Sequence, residues 1–284
     1  MRGSIKYQLS TILKKYDGKG ISKKTNRENG DTKGFNNQKV SDKIHSYESY
    51  RATFSTMKNI AEYAKANHNI KSIDKISNNV IQLYFLKKIT EGISYRTLSN
   101  QVSHLSKIEQ EFAYDKNQLQ TIRELAKGIL PKQRLAPRAY SQKLLDKIQL
   151  QNSALQTTFN LQRELGLRVS AATFININTQ LSKNGELNIL KFKEKGGKVS
   201  EKVISNDLVS KLKENSVEGI FKVSTSTYTK SLEKAIKSNG GKWNGTHGMR
   251  HSYAQNMLEK GYSKQSVSES MGHQREEITD TYLR

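Results

Sequence analysis

The sequence predicts a mainly α protein with one small antiparallel β-sheet, divided into two domains. Three observations carry this. Apolar residues recur at intervals of three and four along most of the chain. The period falls to two only between residues 174 and 204. The only two prolines, Pro131 and Pro137, stand in one basic stretch between periodic segments. A chain of 284 residues can form one large domain or two ordinary ones, each with a full core.

Taken in order, Ile5, Leu9, Ile12, Leu13 and Tyr16 fall on one helical face. Residues 17–43 are rich in Gly, Asn and Lys and read as a flexible, charged linker, so 1–45 is expected to be a basic arm plus linker. From Ser46, the series Tyr50, Phe54, Met57, Ala61, Ala64 predicts a helix, and Val80 to Leu86 a shorter one. Leu98, Val102, Leu105, Ile108 and Phe112 form a third apolar stripe, and Leu119, Ile122, Leu125 and Ile129 a fourth. Together they predict a four- or five-helix domain over 46–130. Residues 131–139, with both prolines among basic side chains, read as an extended interdomain linker.

The second domain, 140–284, opens with helices over 142–149 and 154–165. Alternation then predicts strands at 174–178, 186–192 and 198–204, with Asn184-Gly185 and Gly196-Gly197 as turns, a three-strand meander. Helical spacing returns over 206–214, 226–238 and 249–260, and Gly261 is a stop signal.

The charge bounds the partners. Lys plus Arg outnumber Asp plus Glu by 48 to 26, a net +22 shared as +7 over 1–45, +7 over 46–139 and +8 over 140–284. An excess spread over every part suits a protein that surrounds a duplex, and nucleic acid is the expected partner. The chain has no cysteine, which excludes disulfides and thiolate metal sites. No apolar run reaches membrane-spanning length and no signal-peptide core opens the chain, so a cytoplasmic, nucleoid-associated protein with no membrane partner is expected.

Chemistry concentrates near the C-terminus. His247-x-x-Arg250 is followed by Gly272-His273 and, nine residues on, by Tyr282; upstream stand Gly166-Leu-Arg168-Val-Ser170 and Lys195-Gly-Gly-Lys198. A planar guanidinium can grip two phosphate oxygens, imidazoles can move protons, and a phenol can attack phosphorus. In this order the set resembles the tyrosine recombinase (phage integrase) family, whose signature is Arg, Lys, His-x-x-Arg, His or Trp, Tyr. The resemblance covers 140–284; the helical domain and linker match only in architecture.

The resemblance implies a helical core-binding domain joined to an α+β catalytic domain. It implies that Arg168 and Arg250 neutralise the scissile phosphate and that Tyr282 attacks it to leave a 3'-phosphotyrosine. Lys195, with Lys193 and Lys198 as rivals on the same hairpin, would protonate the leaving 5' oxygen. His247 would assist proton transfer, and His273 would donate to a non-bridging oxygen; His251 has no catalytic counterpart in the family. No metal, ATP or other cofactor is implied, because the phosphotyrosine conserves the bond energy. The implied assembly is a homotetramer on two DNA sites passing through a Holliday junction, from a monomer or dimer in solution.

Two departures stand out. Relatives often carry an acidic residue three positions after the first arginine, where this chain has Ala171, so something else is expected to orient Arg168. Only Leu283 and Arg284 follow Tyr282, where many relatives continue into a helix that docks on the next subunit; either the chain is truncated or subunit coupling uses another segment, with 1–16 a candidate. Two other readings fit parts of the pattern. A type IB topoisomerase shares much of the catalytic set, and 261–272 also looks like the helix-turn-helix of a non-catalytic DNA-binding regulator. For base contact the helix from Ser94 to Phe112, bearing Arg96, Asn100, Gln101 and His104, is the expected reader.

Overall fold

The structure is a computed structural model; it describes residues 1–34, 38–111, 116–130, 137–194, 199–273 and 277–283. The chain divides into two compact units, Met1–Arg134 and Leu135–Arg284. Helices dominate both, and two three-stranded antiparallel sheets lie in the second.

The first unit comprises α1 (Ile5–Lys14), α2 (Lys23–Asn29), α3 (Tyr47–His68), α4 (Asn78–Thr90), α5 (Tyr95–Leu105) and α6 (Lys116–Ile129). Serine side chains cap the starts of α1, α3 and α5 by accepting backbone N–H bonds, so each helix begins where its sequence places a Ser before the periodic run. One core joins Leu9, Ile12, Leu13 and Ile44 to Met57, Ile60, Ile81, Phe85, Leu98, Val102, Leu105 and Leu119. Each such side chain contributes about 1.5–3 kcal/mol on leaving water.

That core corrects the reading of 1–45 as an arm on a flexible linker. The buried face of α1 packs on α3, Ile44 is buried, and the intervening segment holds α2 and a Lys33–Lys39 bridge. The apolar face of α1 and the lone Ile44 outweigh the polar composition between them. The fourth stripe is also corrected. Leu119 and Ile122 are buried, but Leu125 and Ile129 face solvent while Ala126 and Leu130 turn inward. On α5, Arg96 and Asn100 are exposed, whereas His104 is half-buried and pairs through Nδ1 with Thr56 Oγ1 at 2.9 Å.

The second unit runs α7 (Gln142–Leu145), α8 (Ser153–Leu165), α9 (Val169–Ala172), β1 (Phe174–Asn176), α10 (Ile177–Gln180), β2 (Leu181–Asn184), β3 (Leu187–Lys193) and β4 (Val199–Ile204). It continues with α11 (Asn206–Glu214), β5 (Ser216–Val217), β6 (Ile220–Lys222), α12 (Thr225–Ser238), α13 (His247–Glu259), α14 (Lys264–Ser270) and α15 (Glu277–Asp280). The meander is β2-β3-β4, with Gly185 at φ +59 in the first turn. Its first strand is therefore Leu181–Asn184 and not 174–178. Ile175 is instead buried opposite Phe221, in the separate sheet β1-β6-β5. The Gly196-Gly197 turn lies outside the described residues.

Helix α8 is the spine of this unit, packing on α13, α11, α9 and α12. Its C-cap is Gly166 at φ +61, and the ring of Tyr253 lies where a Cβ on Gly166 would stand, 2.4 Å from it. Only glycine allows both this left-handed turn and this close approach.

Candidate active site

Five of the six residues singled out from the sequence fall among the described residues, and the second unit brings all five together. Arg168 is the N-cap of α9, immediately after the Gly166 turn. His247 and Arg250 lie on the first turn of α13, one helical turn apart and so on one face. The start of α13 is pinned by Tyr140. Its hydroxyl donates to Gly245 O at 2.9 Å and accepts from Asn244 N–H at 2.9 Å, and its ring fills the space beside Gly248. His273 follows the turn at Gly272 (φ +66), where His273 N–H returns to Ser268 O at 3.0 Å. Tyr282 closes the turn after α15, its N–H donating to Thr279 O at 2.8 Å. Lys195 and its rival Lys198 lie outside the described residues; Lys193, the other rival, is exposed at the end of β3.

Arg250 is the deepest member, 1% exposed. Its Nη1 donates to Gly166 O at 2.6 Å and its Nη2 to Met271 O, so two turns fix the plane of the guanidinium. Glu194, at the end of β3, ion-pairs with Arg168 and also lies 3.7 Å from Arg250. Burial and the Arg250 charge lower the Arg168 pKa, so the pair forms a concentrated cationic locus.

Tyr282 is 7% exposed and enclosed by three imidazoles. Its hydroxyl is 2.9 Å from His247 Nε2, the His251 ring stacks on it at 4.6 Å, and the His273 ring lies 4.9 Å away. His247 is exposed on one side, yet desolvation on the other, with His251, Arg250 and Arg168 nearby, pushes its pKa down to about 4. His273 is pushed down to about 4 by burial and by both arginines. Both rings are therefore neutral at pH 7, and a neutral His247 with its proton on Nδ1 can accept the phenol proton at Nε2. His273 Nδ1 pairs with Thr279 Oγ1 at 2.9 Å, while its Nε2 is buried without a hydrogen-bond partner among the described residues. Arg250 Nε is in the same condition. Unpartnered polar atoms on arginine and histidine converging beside a phenol suit an incoming oxyanion.

Sequence reasoning missed three contributors. Glu194 is one. Lys202, on β4, is another: its Nζ donates to Tyr253 Oη at 2.9 Å and Ser270 Oγ at 2.8 Å, and burial beside Arg250 pushes its pKa down to about 7. The third is His251, whose ring is one wall of the tyrosine pocket. In the sequence Glu194 and Lys202 are single charges in charged strands, and His251 lacks a family counterpart; only the fold distinguishes them.

A cationic pair and a phenol against a neutral imidazole are the groups that nucleophilic attack on a phosphodiester requires. The family model described as "Phage integrase family" matches residues 135–284, more than half of the chain. The chain belongs to the phage integrase family, the tyrosine recombinases, and is an enzyme of site-specific DNA recombination. No curated protein sequence matches it. Among solved structures it is similar to the XerH site-specific recombinase bound to its difH substrate in a pre-cleavage complex, at 17% identity and TM-score 0.59, over 84% of this chain and 76% of that one. It is also similar to a lambda integrase dimer bound to a COC' core site, at 14% identity and TM-score 0.54, over 84% and 89%. The Tn1549 transposon integrase in complex with circular intermediate DNA matches at 13% identity and TM-score 0.53, over 100% and 96%. Identities this low show the shared fold.

Among the described residues no helix is long and apolar enough to cross a membrane.

Proposed function

We propose that this chain cleaves and rejoins duplex DNA through a covalent bond between Tyr282 and a 3' phosphate. The observation that carries the reading is the 2.9 Å contact of Tyr282 Oη with His247 Nε2 beside the buried Arg250. His247 takes the phenol proton as the oxygen attacks phosphorus, and Arg168, Arg250 and His273 stabilise the charge that grows on the non-bridging oxygens. Lys195, in the stretch leading away from Glu194, protonates the leaving 5' oxygen. Rejoining reverses the same steps with a 5' hydroxyl from another strand. No step calls for a metal or a nucleotide cofactor.

Two DNA sites held by four copies would exchange strands one pair at a time through a Holliday junction. A DNA substrate places the work in the cytoplasm, at the nucleoid. Neither a supercoil-relaxing topoisomerase nor a non-catalytic regulator is favoured. The segment once readable as a helix-turn-helix spends α14 on the site itself, through the Met271 carbonyl on Arg250 and Ser270 on Lys202.

The test incubates the protein with two labelled duplexes carrying its recombination site, in EDTA. Four-way junctions and exchanged strands are expected from the natural chain, and none from Tyr282→Phe. Supercoil relaxation without junctions would favour the topoisomerase; binding without either product would defeat the enzyme.

A further inference from the structure

Two arginines at one place, Arg250 buried and Arg168 partly so, repel each other and need a counter-charge that does not itself occupy the substrate's position. The structure provides one carboxylate for both. Glu194 ion-pairs with Arg168 Nη1 through Oε2, and its Oε1 lies 3.7 Å from Arg250 Nη2. Its side chain is 5% exposed. Gly272 leaves the space it occupies: a Cβ there would stand 3.0 Å from Oε1 and 3.2 Å from Cγ. The carboxylate is thus seated among the end of β3, the start of α9, the first turn of α13 and the turn after α14. Among the described residues these are the only ion pairs that either arginine makes. The nearest side chain along the chain that could have served, Ala171 on the first turn after Arg168, is apolar.

We propose that Glu194 is a positioning residue that orients Arg168 toward the scissile phosphate and supplies the counter-charge shared with the already fixed Arg250, in place of an acid on α9. A carboxylate only accepts hydrogen bonds, so Glu194 holds Arg168 in an ion pair and neutralises Arg250 from 3.7 Å; Arg250 Nη1 and Nη2 already donate to Gly166 O and Met271 O, which leaves Arg250 Nε and the remaining Arg168 N–H groups for phosphate oxygens. Two cations and one anion leave about one positive charge, matched to a phosphodiester monoanion. Because Glu194 is the residue before Lys195, the same carboxylate ties the arginines to the strand end that carries the lysine. This inference rests on the recombinase reading of the site.

The test measures single-turnover formation of the covalent protein–DNA adduct on a nicked duplex carrying the recombination site. Glu194→Gln keeps the shape and removes the charge. It is expected to slow adduct formation roughly 10- to 100-fold, the worth of one charged hydrogen bond, at a temperature below the lowered melting point that loss of a buried counter-charge brings, while affinity for intact duplex stays close to that of the natural chain. Combined with Arg168→Lys, it should add less than about a twofold loss, because both changes disable one unit. A rate for Glu194→Gln equal to the natural chain's overturns the proposal. So do losses that multiply in the double variant, as expected of a residue that only supports the fold. If Glu194→Gln melts below the assay temperature, Glu194→Asp takes its place and must show the same coupling to Arg168→Lys. A natural chain that forms no adduct defeats the recombinase reading itself, a result distinct from a competent chain indifferent to Glu194.

Discussion

At the residue scale the proposed chemistry depends on neutral imidazoles. His247 and His273 both have pKa values pushed down to about 4, with burial the largest cause in each case. A histidine lowered from 6.5 is neutral in the folded chain above about pH 4, so proton acceptance by His247 is fully available at pH 7. Below pH 6.5 the unfolded chain takes up protons that the folded chain refuses, and folding stability falls as pH drops toward 4. Proton NMR of the imidazole resonances in the DNA-free protein should show His247 and His273 untitrated from pH 8 to 5.5. A midpoint near 6.5 for either would contradict this electrostatic account. The signature residues were legible because their types and order are chemically specific. Glu194 and Lys202 were not, because a lone charge in an alternating strand reads the same whether it faces solvent or a buried arginine.

At the element scale, α13 sets Arg250 and His247 in register, and the Gly166 turn completes the guanidinium's setting. Gly166 O accepts from Arg250 Nη1, and the absence of a side chain at Gly166 makes room for the ring of Tyr253, whose hydroxyl accepts from Lys202. Gly166→Ala would place a Cβ 2.4 Å from that ring at φ +61. Left-handed strain and overpacking together should destabilise the second unit by roughly 1–3 kcal/mol, read by denaturant unfolding. Cleavage should fall with it, because the carbonyl moves off Arg250; an Ala variant with natural stability and activity would contradict the argument. The boundaries of α8, α11 and α12 were largely legible, since Ser and Asn caps precede clear apolar stripes, whereas the short α9 and α10 were not. The strand partners were not: β1 pairs with a strand about 45 residues later in the chain, a contact that alternation alone cannot specify.

At the scale of the whole molecule, a net +22 spread over every part meets a site whose chemistry is confined to the second unit. Composition made the polyanionic partner legible, and the ordered motif made the reaction legible. The role of 1–45 was not, because its low apolar content concealed that Leu9, Ile12, Leu13 and Ile44 complete the first core. In the proposed chemistry one phenol, enclosed by three histidines beside two arginines, becomes covalently joined to DNA. The decisive experiment traps the protein on a nicked duplex in EDTA, digests both components and sequences the modified peptide by mass spectrometry. A nucleotide 3'-phosphate is expected on the peptide containing Tyr282, and no adduct from Tyr282→Phe. Attachment at another of the thirteen tyrosines, or through a 5' phosphate, would contradict it.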